Sequence, residues 1–102
     1  GHILMTVEII SRDERGEGVD FLIENTPESR PYVLEKGFIG IDGMSLTIGE
    51  VTDEYFSLHI IPETLRVTTI SNKKVGDKVN LEIDSRTQVL VDTIRKSMEV
   101  NK

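Results

Sequence analysis

Two hydroxyl side chains stand two residues apart in the stretch KGFIGIDGMSLTIG, residues 36–49. Apolar residues alternate on both sides of Asp42-Gly43, a pair that favours a two-residue type I′ turn because both positions tolerate positive φ. Side chains alternate across a strand, so Ser45 and Thr47 share one face. Hydroxyls both donate and accept hydrogen bonds, which suits the polar edge of a heterocycle or a polyol. This face is predicted to be either plain solvent-exposed surface or the wall of a polar pocket.

Glycines interrupt the same hairpin. Gly40 lies between Phe38 and Asp42 on the first strand, and Gly49 continues the hydroxyl-bearing face of the second. A glycine inside a strand costs packing and often marks a position where another group approaches the backbone. We therefore expect a close approach at Gly40.

The surrounding sequence predicts the strands that would position this hairpin. Apolar and polar residues alternate over 19–25, 53–62 and 78–84, which is typical of half-buried strands, and 3–11 is apolar and β-branched. The charged, glycine-bearing segment 12–18 is predicted to be a long polar loop. We therefore predict an all-β fold, a closed antiparallel barrel of six strands.

Two helices are predicted beside this barrel. The Thr-Pro-Glu step at 26–28 combines a cap hydroxyl, an early proline and an acid, and it predicts a short mid-chain helix that Gly37 closes. SRTQ at 85–88 fits a capping box, and apolar residues at helical spacing follow it. We expect one domain, with the barrel over 1–84 and a C-terminal α-helix over 85–102 whose apolar stripe packs on the barrel or on a partner.

Composition disfavours several classes of function. The formal net charge is -6, which argues against nucleic-acid binding through a basic field. There is no cysteine, so disulfides, thiolate metal ligands and a cysteine nucleophile are excluded. No apolar run approaches the roughly 20 residues that a membrane span needs, and no secretory signal pattern is present. We expect a cytoplasmic protein with no metal, nucleic-acid or membrane partner.

Three motifs, taken together and in this order, resemble the C-terminal lumazine-binding barrel of the riboflavin synthases. They are KGFIGIDGMSLTIGEV at 36–51, IPETL at 61–65 and VGDKVNLEID at 75–84. The resemblance runs over nearly the whole chain. It implies a homotrimeric parent about twice this length, with two similar barrels followed by a helix. It further implies that each barrel binds one 6,7-dimethyl-8-ribityllumazine, with the active site between barrels of neighbouring subunits.

In that family two lumazines dismutate to riboflavin and 5-amino-6-ribitylaminouracil, without a metal or a cofactor. The resemblance thus implies a transferase whose isolated barrel has little or no activity, and lumazine synthase is a further candidate partner. The chain would be the C-terminal half of the parent. Its first residues, Gly1-His2-Ile3, would then be native sequence at the start of the second barrel rather than a tag scar. GHILMT stands where GHVDG is common in relatives, so a role for that aspartate does not carry over.

The resemblance also assigns site residues one by one. Ser45 and Asp84 match positions tied to catalysis, and His2 is a candidate to shuttle a proton or hold a water. Lys36 would reach a ligand held by another subunit. The substrate-binding residues implied are Gly1, His2, Ile3, Lys36, Ser45, Leu46, Thr47, Ile61, Pro62, Glu63, Thr64, Leu65 and Arg66.

Simpler structural roles compete with these assignments. Asp84 precedes the final helix and would serve there as a helix-start carboxylate, and Lys36 beside Gly37 would complement a helix dipole. Ser45 could be an ordinary strand hydroxyl, and His59 is expected to be a surface residue rather than a catalyst. Two other functions stay open: a non-catalytic lumazine- or flavin-binding protein of the same superfamily, and a generic barrel that acts as an interaction module.

Overall fold

A computed structural model, which describes residues 3–66, 69–83 and 85–100, contains a closed antiparallel barrel of six strands. The strands are β1 (Ile3–Arg15), β2 (Gly18–Glu24), β3 (Phe38–Ile41), β4 (Met44–Val51), β5 (Tyr55–Ile60) and β6 (Lys78–Ile83). Around the barrel they follow the order β1-β2-β5-β4-β3-β6, and β6 pairs back with β1. The predicted fold class is confirmed.

Apolar side chains fill the interior of the barrel. Phe21 on β2 pairs with Leu58 on β5, and Leu58 pairs with Ile48 on β4, so the three form one buried layer. Burying one such side chain contributes about 1.5–3 kcal/mol. The buried apolar residues of the strands are Val7, Ile9, Val19, Phe21, Ile23, Ile39, Ile41, Ile48, Phe56, Leu58, Ile60, Val79, Leu81 and Ile83. Because side chains occupy the interior, as in other small barrels, binding chemistry belongs to the outer wall.

The first strand closes the barrel because it is long enough to pair with two neighbours. Residues 3–8 of β1 pair with β6, and residues 9–15 pair with β2. The register with β2 shifts between Ile9 and Ser11, next to the point where β1 changes partners.

The prediction of a long loop over 12–18 is wrong. β1 runs through most of this segment, and only Gly16 and Glu17 remain in the turn, with Gly16 at φ +61°. The charged residues find places along the strand: Arg12 donates from Nη1 to the carbonyl oxygen of Lys73 at 2.9 Å. The charge and glycine content of this segment therefore predicted too long a loop, because the exposed face of a strand also accommodates charged residues and glycine.

The mid-chain helix is reduced to one turn of 3-10 helix at Arg30–Tyr32. The predicted cap at Thr26 is wrong: the N-cap of this helix is Ser29, which makes no side-chain cap hydrogen bond, and the Ser29 N–H donates to Thr26 Oγ1 at 3.2 Å within the preceding turn. Pro31 lacks an N–H, so it cannot extend a regular ladder of hydrogen bonds. The residue with positive φ is Lys36, at +62°, rather than Gly37.

Two short helical segments occupy the region between β5 and β6. They are α1 (Pro62–Arg66) and a second 3-10 helix (Thr69–Asn72). The sequence pattern over 63–70 is short and does not distinguish a helix from a strand.

A buried polar network ties the end of β2 to the turn between β4 and β5. Asn25 is 4% exposed and Ser29 is 0% exposed. The Ser29 hydroxyl donates to Asn25 Oδ1 at 2.6 Å, and its oxygen accepts the Thr26 N–H at 2.8 Å. Asn25 donates from Nδ2 to the carbonyl oxygen of Thr52 at 2.9 Å and from its backbone N–H to that of Glu54 at 3.0 Å. The network fixes the β4–β5 turn relative to β2.

The C-terminal helix, α2 (Ser85–Val100), is confirmed, and it packs on the barrel near its N-terminal end. Val91 is buried, Arg86 lies 5.7 Å from the ring centre of Phe38, and Asp92 Oδ1 lies 3.4 Å from the hydroxyl of Tyr32. The other apolar residues of the stripe are 50–66% exposed: Val89, Leu90, Ile94 and Met98. No helix of the described residues is long and apolar enough to cross a membrane.

Candidate ligand-binding site

The turn predicted at the centre of the hairpin is present. Asp42 has φ +48° and Gly43 has φ +86°, the pair of positive values that a type I′ turn requires. Asp42 Oδ1 accepts the Asn80 N–H at 2.8 Å, which fastens the turn to β6. The turn thereby sets the register of β3 against β4.

That register puts the two hydroxyls on the outer wall. Ser45 lies opposite Gly40, and Thr47 lies opposite Phe38. Both hydroxyl-bearing residues are exposed, whereas Leu46 between them is partly buried against the core and Ile48 after Thr47 is fully buried. The predicted shared face therefore exists and points away from the barrel interior.

The two glycines on this face are explained by the barrel itself. A Cβ at Gly40 would stand 2.9 Å from the Cβ of Glu82 on β6. A Cβ at Gly49 would stand 2.6 Å from the hydroxyl oxygen of Ser57 on β5, which accepts the Glu50 N–H at 2.8 Å. The close approach predicted at Gly40 therefore comes from a neighbouring strand, and so does the one found at Gly49.

A groove of about 560 Å³ crosses the outer wall over β4, β5 and β2. This volume lies within the range of about 300–1,000 Å³ that is usual for small-molecule sites. Thr47 and Gly49 line it, so this part of the hydroxyl-bearing face is a pocket wall, whereas Ser45 lies outside the lining. The polar side chains around the groove are Ser11, Asp13, Asp20, Thr47, Glu50, Ser57 and His59.

The IPETL segment lies near the Ser45 end of β4. Ile48 pairs with Leu58. Continuing this antiparallel register brings Thr47 beside His59 and Ser45 to the level of Ile61, which is 49% exposed. In α1, Glu63 is exposed, and Pro62 and Thr64 are partly exposed.

Lys36 lies towards the other end of this face. Its backbone N–H donates to the carbonyl oxygen of Ile48 at 2.9 Å, and the Ile48 N–H donates to the carbonyl oxygen of Gly37 at 2.8 Å. The loop at 36–37 thus extends the β3–β4 ladder away from the turn, and the Lys36 side chain is exposed.

The remaining predicted site residues are only partly described. Gly1, His2 and Asp84 lie outside the described residues. For Ile3, Leu65 and Arg66 the structure gives the backbone alone: the first begins β1, and the other two end α1. The roles assigned to these positions stay predictions.

A histidine–aspartate pair in the groove was not predicted. His59 Nδ1 lies 2.5 Å from Asp20 Oδ1, with the two side chains 58% and 37% exposed. Each residue belongs to the polar face of an alternating strand, and the two are direct partners in the β2–β5 register. The alternation correctly predicts His59 at the surface, but only the pairing of these distant strands reveals its partner.

The chemistry of the groove favours a ligand rich in hydroxyl groups. Carboxylates accept hydrogen bonds, and serine and threonine hydroxyls both donate and accept them. The imidazole of His59 has a second ring nitrogen, besides the one next to Asp20, that can form a hydrogen bond. Among the described residues no group of three or more His, Cys, Asp or Glu side chains is arranged to hold a metal ion.

The fold and the groove define a class: a small six-stranded antiparallel barrel with a ligand-sized polar groove on its outer wall. Residues 1–84 match the model of the lumazine binding domain, and the chain belongs to that family. The resemblance noted from three sequence motifs is thereby confirmed.

The riboflavin synthases of two bacteria are similar to this chain. That of Escherichia coli (strain K12) is 48% identical over 98 residues, which cover 94% of this chain and 46% of that protein. That of Chlamydia pneumoniae is 42% identical over 96 residues, with the same two coverages. The chain spans about half the length of the curated relatives it matches.

Solved structures of LumP share the fold. LumP complexed with 6,7-dimethyl-8-(1'-D-ribityl) lumazine has a TM-score of 0.73 at 21% identity, over 80% of this chain and 45% of that one. LumP complexed with flavin mononucleotide has a TM-score of 0.78 at 21% identity, over 83% of this chain and 48% of that one. The likeness supports the barrel architecture.

Proposed function

We propose that this chain is the lumazine-binding half of a riboflavin synthase and binds 6,7-dimethyl-8-ribityllumazine on the outer face of β4. One observation carries the proposal: Thr47 opens onto a ligand-sized groove on the outer wall of a barrel with a packed interior. The names of the similar enzymes support the same substrate, and LumP, which shares the fold, has been solved with this lumazine.

The heterocycle would lie along β4, with α1 as the second wall. Ser45 and Thr47 offer hydroxyls on this outer face, whereas the partly buried Leu46 packs against the core and can contribute only its backbone. Ile61 offers an exposed apolar surface for a flat ring, and Thr64 offers a hydroxyl beside it. Pro62, Glu63, Leu65 and Arg66 complete that wall in this proposal.

The complete enzyme would dismutate two lumazines between barrels of adjacent subunits. The reaction begins with loss of a proton from the C7 methyl group, and the resulting carbanion is delocalised over the ring. Holding two rings face to face is then the main task, and orientation of this kind lowers barriers by up to about 7–11 kcal/mol. Ser45, Asp84 and His2 are the proposed proton-handling groups, and Lys36 would reach the partner's ligand.

Assembly with another barrel follows from the same proposal. An open groove on the outer wall leaves one side of a bound ring uncovered, so a lone barrel is expected to bind but to turn over little or nothing. The exposed apolar stripe of α2 supports a homotrimer in the full-length protein. In this view the barrel spans 1–84, the helix spans 85–102, and the chain is the C-terminal half of a cytoplasmic transferase supplied by lumazine synthase.

The test is a titration of the chain with riboflavin and then with the lumazine, followed by ligand fluorescence. We expect saturable binding that Thr64→Ala weakens about five-fold, the size of one net hydrogen bond. Thr93→Ala, on α2 rather than on the proposed walls β4 and α1, is the matched control and should leave the Kd unchanged. Absence of binding by the wild-type chain, or an equal loss in both variants, would contradict the proposal.

Turnover by the full-length parent separates the two ligand-binding functions. Riboflavin formation from the lumazine supports the synthase. Tight retention of the fluorophore without turnover would instead favour a non-catalytic lumazine- or flavin-binding protein.

A further inference from the structure

His59 is held in one orientation on the groove wall. It lies on β5 directly opposite Asp20 on β2, and the carboxylate oxygen is 2.5 Å from ring atom Nδ1. Beneath the ring, Gly18 leaves space: a Cβ there would stand 2.9 Å from the carbonyl oxygen of Ile60, and 3.0 Å from Cε1 and 3.2 Å from Nε2 of the imidazole. The residue is thus preorganised, although its side chain is 58% exposed.

The pairing with Asp20 also decides which ring nitrogen is available. A carboxylate accepts hydrogen bonds, so Nδ1 carries the hydrogen that it donates to Asp20. In the neutral ring Nε2 then has a free lone pair, and among the described residues no partner of Nε2 is found. A ligand hydroxyl is a suitable donor for this nitrogen.

The position of His59 indicates which part of a ligand it would meet. Neighbouring strands lie about 4.8 Å apart, so β5 and β2 are roughly 5 and 10 Å from β4 along the wall. The proposed seat of the heterocycle is β4 with α1. A ribityl chain that extends from the ring across the groove therefore passes from Thr47 on β4 to His59 on β5, and both residues line the groove.

We propose that His59, oriented by Asp20 over Gly18, is a specificity-determining residue that accepts a hydrogen bond from a hydroxyl of the ribityl chain. The inference rests on the proposed function and assigns a residue to one part of that ligand. It predicts that the groove distinguishes ligands by their polyol chain as well as by their ring.

The experiment compares riboflavin with lumiflavin, which has the same ring and a methyl group in place of the ribityl chain. We expect His59→Phe to weaken riboflavin binding about five- to ten-fold and to leave lumiflavin binding within about two-fold. His59→Gln keeps an acceptor on the side chain and should retain most of the riboflavin affinity. Tyr55→Phe, on the same outward face of β5 but outside the groove lining, is the matched control.

The outcomes separate this inference from the function on which it rests. Unchanged riboflavin binding by His59→Phe, an equal loss for riboflavin and lumiflavin, or an equal loss in His59→Gln and His59→Phe would overturn the inference alone. A wild-type chain that binds neither riboflavin nor the lumazine would overturn the proposed function and the inference with it. Circular dichroism of each variant checks that the barrel is intact.

Discussion

Replacing Ser29 by alanine should destabilise the barrel far more than its size suggests. The hydroxyl is fully buried, and its two shortest hydrogen bonds are the one it donates to Asn25 Oδ1 at 2.6 Å and the one it accepts from the Thr26 N–H at 2.8 Å. The variant leaves the buried amide oxygen of Asn25 without this donor, which costs about 1–3 kcal/mol. Loss of the partly buried second bond adds about 0.5–1.5 kcal/mol. We expect a total of about 2–4 kcal/mol out of a stability of about 5–15 kcal/mol.

Urea unfolding followed by circular dichroism measures this difference, and thermal unfolding should show a Tm lowered by about 10–25 °C. Ser45→Ala removes the same oxygen from an exposed position and should change the free energy of unfolding by less than about 0.5 kcal/mol. In an Asn25→Ala background Ser29→Ala should cost less, because its main partner is already gone. Equal stability of Ser29→Ala and Ser45→Ala would refute the assignment of this network as a stabilising element.

Three further expectations concern ligand binding and association. Thr47→Val keeps the side-chain shape but removes a hydroxyl from the groove, so riboflavin should bind about five-fold more weakly in fluorescence titrations. The control Thr6→Val, at an exposed site of β1, should not change the Kd. An equal loss of affinity in both variants would contradict the groove as the binding site. Flavin mononucleotide should bind more weakly than riboflavin, because Asp13 and Glu50 bring carboxylates to the groove that repel its phosphate. Either Glu50→Gln or about 1 M salt should bring the Kd values of the two ligands closer together. Equal affinities at low salt would disprove this. Sedimentation velocity should detect association through α2, which Ile94→Glu should weaken without lowering the Tm; a wild-type chain that stays monomeric would count against that contact.

Local patterns predicted the strands because each carries its own signal. Alternation over 19–25 and 53–62 reports which side of a strand faces the core, and the barrel's packed interior has that pattern. The type I′ turn at Asp42-Gly43 needs only the tolerance of two residues for positive φ. These features depend on neighbours in sequence, so the sequence was sufficient to predict them.

The errors arose where pairing overrides composition. Segment 12–18 has the charge and glycine content of a loop, yet β2 supplies partners that keep most of it in a strand. Lys36 adopts positive φ in place of Gly37 because its N–H and the Gly37 carbonyl both bond Ile48 across the β3–β4 ladder. Only the register of the folded sheet specifies these positions.

The site was predictable to the same extent. Period-two alternation correctly grouped Ser45 and Thr47 on one outer face, but it could not say that only Thr47 opens onto the groove. That distinction depends on β5 and β2, which supply Ser57, His59 and Asp20. The latter two are distant in sequence and become partners only through the β2–β5 pairing.

The seam between β1 and β6 sets an order of events during synthesis. Residue 3 pairs with residue 82, so the barrel cannot close until its last strand has been made. At about 5–20 residues per second, the β6-pairing edge of β1 waits roughly 4–16 s for its partner on the ribosome. An unpaired edge of this kind recruits strands from other chains unless charge discourages them. Glu8, which faces Lys78 in the finished seam, puts a negative charge on that edge, so it repels a second copy of β1 and attracts β6.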